Sequence, residues 1–359
     1  MERFWQSNSM IIQWAYPLPA LFLSLCLCSM LSLKASEPGG GLEITPGSRV
    51  LTISEPLAVE RFSPNSEIVF DMFNRLLLAY SRQENLVDAW AKFISPSDVV
   101  GIKVLSDPGS VSGTRPAVVE AVIRSLISTG FPEKQIIIWD RRKGVLVATG
   151  YDQIAKRFGV SIAGSSDFGY DSEEYYEAAL VGNLVYGDHE FGKDGKGVGR
   201  KSFVSKLLTQ KLTRIIQIHP MLNHYLGGVN GHVVGLATGG VDNSLRFTLD
   251  ADRYHQAIPE ICAIPDLYDK LALNIVDALI CQYQGEERGF LQYSSMLKEL
   301  RMSTDPVALD VLSLLEINRQ RKRAGLDENL SAMQLYQNAD LLELGESDLS
   351  RIRFERVSN

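Results

Sequence analysis

Cysteine is scarce: 359 residues carry four, and two of these, Cys26 and Cys28, fall in an apolar run near the N-terminus. The other two, Cys262 and Cys281, belong to no C-x-x-C pair. That is too few for a disulfide framework or a cysteine-held iron–sulfur cluster, so no such cluster is expected. Lysine and arginine are not gathered into long runs either. The formal charge is −7, and no basic stretch is dense enough to neutralise a phosphate backbone, which argues against nucleic acid as a partner. The glycines of GDHEFGKDGKGVGR, residues 187–200, lack the G-x-x-x-x-G-K-[ST] order of a phosphate cradle. They read as a surface loop or hairpin. Neither an internal repeat nor a coiled-coil heptad is present.

What is present begins with PLPALFLSLCLCSMLSL at residues 17–33, followed by Lys34-Ala35-Ser36 and a Pro/Gly-rich stretch. An apolar core ending in a small residue is the layout of an export signal. The expectation is therefore a signal peptide over residues 1–35, cleaved after Ala35, and a periplasmic or secreted mature chain. The alternative is an uncleaved N-terminal anchor, because the apolar span from Ile11 is nearly long enough to cross a bilayer. On either reading, the membrane is reached only through this segment.

The rest of the chain is organised around residues 99–142, VVGIKVLSDPGSVSGTRPAVVEAVIRSLISTGFPEKQIIIWDRR. Val99 to Leu105 is a short β-branched strand bounded by Pro96 and by Asp107-Pro108-Gly109. Pro116 suits the first turn of a helix, whose Val118, Val119, Val122, Ile123, Leu126 and Ile127 form one apolar face. Gly130 and Pro132 end that helix, and Gln135 to Trp139 returns as a second strand parallel to the first. Similar alternation continues: a helix over 145–158, a strand at 160–163, a strand TRIIQI at 213–218, a strand at 272–280, and a helix from Pro306 to about Arg323 capped by Asp305. Residues 164–202 break the pattern and read as an irregular insertion. The pattern implies an α/β fold with a mainly parallel central sheet flanked by helices, built as a single domain over residues 36–359 with its core from about 96.

At GIKV (101–104), TRPAVVEAVIRSLISTGFPEKQIIIWD (114–140), NIVDALICQYQG (274–285) and STDPVALDVL (303–312), the chain resembles the domain of unknown function 362 family. The resemblance spans roughly residues 96–357. It implies an α/β fold but no assigned activity. Some members carry additional cysteine-rich iron–sulfur segments, which this chain lacks.

Candidate site residues follow from topology, since α/β sheets gather ligands beyond the carboxyl ends of their strands. Lys103 lies inside an apolar strand, either as a binder of an anion or carbonyl or as a partnered lysine. Asp140 and Arg141 follow the IIIW strand directly. Arg115 flanks the other loop. His219 and His224 stand at the end of the TRIIQI strand, before a glycine-rich stretch in which Asp242, Asn243 and Arg246 can complete a polar pocket. On this reading His219, His224 and Asp140 transfer protons, while Lys103, Arg115, Arg141, Asp242, Asn243 and Arg246 bind substrate. His219 and His224 are also the candidate ligands of a divalent metal, although they lack the compact HExxH spacing. The functional expectation is an exported enzyme acting on a small anionic substrate, with a divalent metal as the candidate cofactor. The alternative is a non-catalytic periplasmic or secreted protein that binds a small anion. Protein partners are not legible.

Overall fold

A computed structural model describes residues 47–358 apart from Lys196 and Glu287. The export segment expected over residues 1–35 lies outside the described residues. No helix among those described is long and apolar enough to cross a membrane. The described residues fall within a single compact unit.

Ten strands position the rest: β1 (Arg49–Ser54), β2 (Val100–Val104), β3 (Ile136–Asp140), β4 (Ser161–Gly164), β5 (Tyr170–Asn183), β6 (Val198–Ser205), β7 (Arg214–His224), β8 (Leu271–Gln282), β9 (Ser294–Ser303) and β10 (Arg353–Arg356). Eight of them form one mixed sheet in the order β10-β1-β9-β8-β7-β2-β3-β4. Strands β8, β7, β2, β3 and β4 pair in parallel, and β9 is antiparallel to both of its neighbours. This is the α/β fold with a mostly parallel sheet expected from the alternation. From β2 the chain moves outward through β3 to β4. It then returns to the other side of β2 as β7 and moves outward again to β8, so the winding reverses between β2 and β7.

Alternation along the strands divides the core between two faces. Val100, Ile102 and Val104, with Ile136, Ile138, Ile216, Ile218, Leu273 and Ile275, point to one face. Helices α1 (Ser66–Ser81) and α2 (Pro116–Ser128) cover it, with their apolar stripes buried there. Asn65 caps α1 by accepting the amides of Glu67 and Ile68, and Pro116 occupies the first turn of α2. The opposite face carries Ile137, Trp139, Ile215 and Met221, and is packed by α3 (His232–Gly240), α4 (Ala251–Cys262) and α5 (Pro306–Arg323). Asp305 caps α5 through the Ala308 amide at 2.9 Å and also accepts the Glu346 amide at 2.9 Å.

Several elements depart from the sequence expectation, each for a local reason. The helix expected over 145–158 is two, Lys143–Ala148 and Tyr151–Phe158, separated by Gly150 in the left-handed region at φ 87°. The insertion over 164–202 is not irregular. It is mostly the long antiparallel hairpin β5–β6, whose alternately exposed side chains hid a strand pattern in a polar sequence. Strand β6 runs to Ser205 and is followed by one π-helical turn at Leu207–Lys211. Strand β7 does not stop at Ile218 but continues to His224, and the glycine-rich stretch beyond it contains α3. Cys262 and Cys281 are buried free thiols.

The glycines of α3 are spaced for contact with the sheet. A Cβ at Gly235 would lie 1.9 Å from Cε1 of the His219 ring, and one at Gly239 would lie 2.4 Å from Cε of Lys103. Four residues apart, the two glycines share one helix face, and they let it lie directly on two polar side chains. Gly235→Ala should therefore destabilise the protein by about 1–3 kcal/mol, because the ring beneath it is walled in on every side. Gly144, which has open space where its Cβ would be, should tolerate alanine with no loss and a gain of up to about 1 kcal/mol. Urea unfolding of both variants checks this, and equal effects would contradict it.

Candidate functional site

Strand alternation sends Lys103 to the α3 side of β2, where it is 1% exposed. Burying an ammonium group is costly unless its protons are satisfied. Two of them are: Nζ donates to Asp140 Oδ1 at 2.8 Å and to the Val104 carbonyl at 2.7 Å, and it sits 5.5 Å from the centroid of the Trp139 ring. Asp140, 5% exposed, is the last residue of β3. Besides Lys103, its carboxylate accepts the Ser106 amide (2.8 Å), the Ser106 hydroxyl (2.6 Å) and the Arg141 amide (2.8 Å). Burial pushes this carboxyl upward, but the Lys103 charge and the Lys103 and Ser106 hydrogen bonds outweigh it and hold Asp140 below the usual carboxylate range.

Lys103, Asp140, Arg141, His224, Asn230 and Tyr254 are among the side chains that line one cavity of about 130 Å³. It lies beyond the carboxyl ends of β2 and β3, beneath α3 and the turn at Ser244–Phe247, and next to the reversal of winding between β2 and β7. That is where open α/β sheets hold ligands. Arg141 is half-buried and donates one guanidinium hydrogen to the Ser244 hydroxyl at 3.1 Å. His224 stacks on Tyr254, with ring centroids 5.5 Å apart. Its Nδ1 accepts the amides of Gly227 (2.9 Å) and Leu226 (3.2 Å), which puts the ring proton on Nε2. Burial depresses the His224 imidazole to about 4, so the ring is neutral at pH 7.

The structure thus brings four of the sequence candidates together, Lys103, Asp140, Arg141 and His224, and leaves the others apart. His219 is fully buried under Gly235 rather than on the cavity wall, 5.2 Å from the His232 ring. Neither ring nitrogen has a hydrogen-bond partner of acceptable geometry among the described residues. Burial, the Lys103 charge and His232, in that order, hold its imidazole well below the ordinary range, with the Asn230 backbone opposing weakly. Arg115 forms a buried ion pair with Asp277 at 3.0 Å, and its own amide donates to the same carboxylate at 2.9 Å.

Asp242, Asn243 and Arg246 fasten the β5–β6 hairpin to the body. Asp242 accepts the His189 and Phe203 amides, both at 2.6 Å. Burial pushes its carboxyl up to about 7 against those two bonds. Asn243 donates to the Lys201 carbonyl at 2.9 Å, and Arg246 donates to the carbonyls of Leu180, Arg200 and Tyr176 and to the Ser202 hydroxyl. Burial lowers the Arg246 guanidinium to about 10. Their sequence position beside a glycine-rich stretch suggested a pocket, but their polar atoms are spent on a hairpin that the sequence did not reveal.

A divalent metal fits these residues poorly. The Nδ1 lone pair of His224 is committed to two amides and its Nε2 carries the proton, while His219 lies within reach of the Lys103 ammonium field. No group of three His, Cys, Asp or Glu side chains able to hold a metal occurs among the described residues. Proton uptake by Asp140 is likewise opposed by the four donors its carboxylate already faces. Sequence reasoning missed Asn230, which stands between glycines in GGVNG and carried no signal apart from that setting.

No family model matches the chain, and no curated protein does. Among solved structures, a crystal structure of a Thermotoga maritima protein determined as a structural-genomics target is similar over 75% of this chain and 61% of that one, at 12% identity and a TM-score of 0.40. The chain thus spans less than two thirds of that protein, and the likeness carries no argument about function.

The His224 geometry has a pH consequence. Its folded value of about 4 lies below the ordinary 6.5, so between these values the unfolded chain binds the proton and the folded chain does not. Stability should fall as pH drops from about 6.5 to about 4, by up to roughly 3 kcal/mol from this residue. His224→Gln should flatten that part of the profile of unfolding free energy against pH. Parallel profiles for the two proteins would contradict the assignment.

Proposed function

We propose that this chain binds a small anionic molecule in the crevice formed by Lys103, Arg141 and His224. The observation that carries the reading is a set of unspent hydrogen-bond donors on one cavity at a reversal of winding. Lys103 has a third N–H beyond the two already used, Arg141 has guanidinium hydrogens beyond the one given to Ser244, and the Nε2–H of His224 makes no hydrogen bond to any described residue. Three unspent donors converging on one space favour an oxyanion. A volume of about 130 Å³ fits a molecule about the size of benzene. That volume restricts the ligand to something compact.

A second reading keeps the enzyme expectation: the bound anion is a substrate. One observation favours it, namely that a neutral imidazole N–H and a buried ammonium face the same space and can stabilise negative charge developing on a substrate oxygen. His224 acts there as a donor rather than as a base. Membership of the domain of unknown function 362 family and export through residues 1–35 belong to this proposal, and they rest on the motifs and the apolar leader already described.

Thermal unfolding of the purified chain against formate, acetate, propionate, butyrate, sulfate and inorganic phosphate tests the binding. At least one of these should stabilise the fold saturably, by about 2.7 kcal/mol at a hundred times its dissociation constant. Arg141→Ala should weaken that binding at least tenfold while leaving unliganded stability within about 0.5 kcal/mol. No stabilisation by any of the six, or stabilisation unaltered in Arg141→Ala, would overturn the reading. Mass spectrometry of incubated mixtures separates binder from enzyme by the appearance of a product.

A further inference from the structure

Most polar side chains around the crevice are already satisfied within the protein. Thr238 and Thr248 donate their hydroxyls to the carbonyls of Val234 and Leu245, both at 2.8 Å. The Ser244 hydroxyl accepts from Arg141, and the Asp140 carboxylate is filled by Lys103, Ser106 and the Arg141 amide. Asn230 is different. It lines the cavity, it is 3% exposed, and its side-chain amide makes no hydrogen bond to any described residue.

The position of Asn230 is not loose. Its backbone amide donates to the Leu222 carbonyl at 2.8 Å, directly after the Gly228–Val229 bridge to β7. The next residue, Gly231, presses so closely on Asp310 that a Cβ would lie 2.2 Å from that carboxylate. Asp310 in turn accepts the amides of His232 and Val233, both at 2.9 Å. The side-chain amide is thus held in place with its polar atoms open to the cavity rather than sealed in the packed interior, where they can pair with whatever occupies it.

We propose that Asn230 determines the specificity of this crevice, and that the ligand it selects carries a hydroxyl or N–H group beside its anionic group. The inference rests on the reading of the crevice as an anion site. Lys103, Arg141 and the Nε2–H of His224 offer donors, which suit the anion. Asn230 adds an unspent acceptor, Oδ1, together with the donor Nδ2, which suits a neutral group that both gives and takes a hydrogen bond. A ligand with a methyl group in that place leaves the amide unpaired, and a site built to hydrogen-bond a substrate hydroxyl rejects such an analogue.

Two pairs of acids with equal numbers of heavy atoms test this by isothermal titration of the purified chain: 3-hydroxypropionate against butyrate, and glycolate against propionate. In at least one pair the hydroxy acid should bind about tenfold or more tightly. Asn230→Ala should abolish that preference while changing the affinity for the methyl partner by less than about threefold. Asn230→Asp, which sets a carboxylate beside the anion, should weaken both members of the pair, and the circular dichroism of each variant shows that it is folded. Equal binding of both members of both pairs, or a preference that survives in Asn230→Ala, overturns the role of Asn230 and leaves the anion site standing. Binding by none of the four acids overturns the role of Asn230, and the anion site falls with it if formate, acetate, sulfate and phosphate also fail to stabilise the fold.

Discussion

The pairing of Lys103 with Asp140 is the constraint on which the surrounding structure depends. A lysine in the middle of a buried parallel strand is tolerable only with a carboxylate and a carbonyl in reach, and the adjacent strand β3 supplies the carboxylate at its last residue. Fixing that carboxylate recruits Ser106 from the loop after β2 and the Arg141 amide from the loop after β3, so one ion pair ties together the ends of both strands. The helix above must then pass close over a long polar side chain. Gly239 gives it the clearance, and Gly235 does the same over His219. Removing either member of the pair would strand the other charge in the interior, a loss of roughly 3–5 kcal/mol.

From this pair follows the character of the crevice. Because Asp140 is saturated and held ionised, it is a fixture rather than a proton acceptor. Because the two amides of the turn after β7 hold Nδ1 of His224, that ring is a neutral donor. The histidines expected to form a metal site or an acid–base pair are thus separated by their surroundings. His219 is sealed under α3, and His224 is turned by backbone hydrogen bonds to offer only an N–H. Geometry that suits holding an oxyanion is poor geometry for holding a divalent cation.

Much of this was legible in the sequence. The β2–α2–β3 unit announced itself through Pro116, the apolar stripe of the helix, and Gly130 with Pro132, and the parallel arrangement made Lys103 and Asp140 candidates for one site without showing that they pair. Asp305 before Pro306 marked the start of α5 correctly. What failed was the polar half of the chain. The β5–β6 hairpin leans on the body through only one face, so its pattern of exposed charges resembled a loop, and the residues that clamp it, Asp242, Asn243 and Arg246, looked like site residues. Helix α3 was hidden because its glycines, poor helix formers in isolation, are needed there for close approach to the sheet. Burial partners across a sheet cannot be read from spacing, which is why His219 and His224 looked equivalent.

If the crevice holds one anion, the Lys103 ammonium and the His224 N–H face the same ligand. Nuclear magnetic resonance of the nitrogen-15-labelled chain, following Lys103 Nζ and His224 Nε2 during titration with propionate or 3-hydroxypropionate, measures this directly. The account predicts that both resonances move along one saturation curve with a common dissociation constant, while the Arg246 guanidinium signals in the hairpin clamp stay in place. Movement of the Arg246 signals with Lys103 and His224 unchanged, or two unrelated curves, would contradict it.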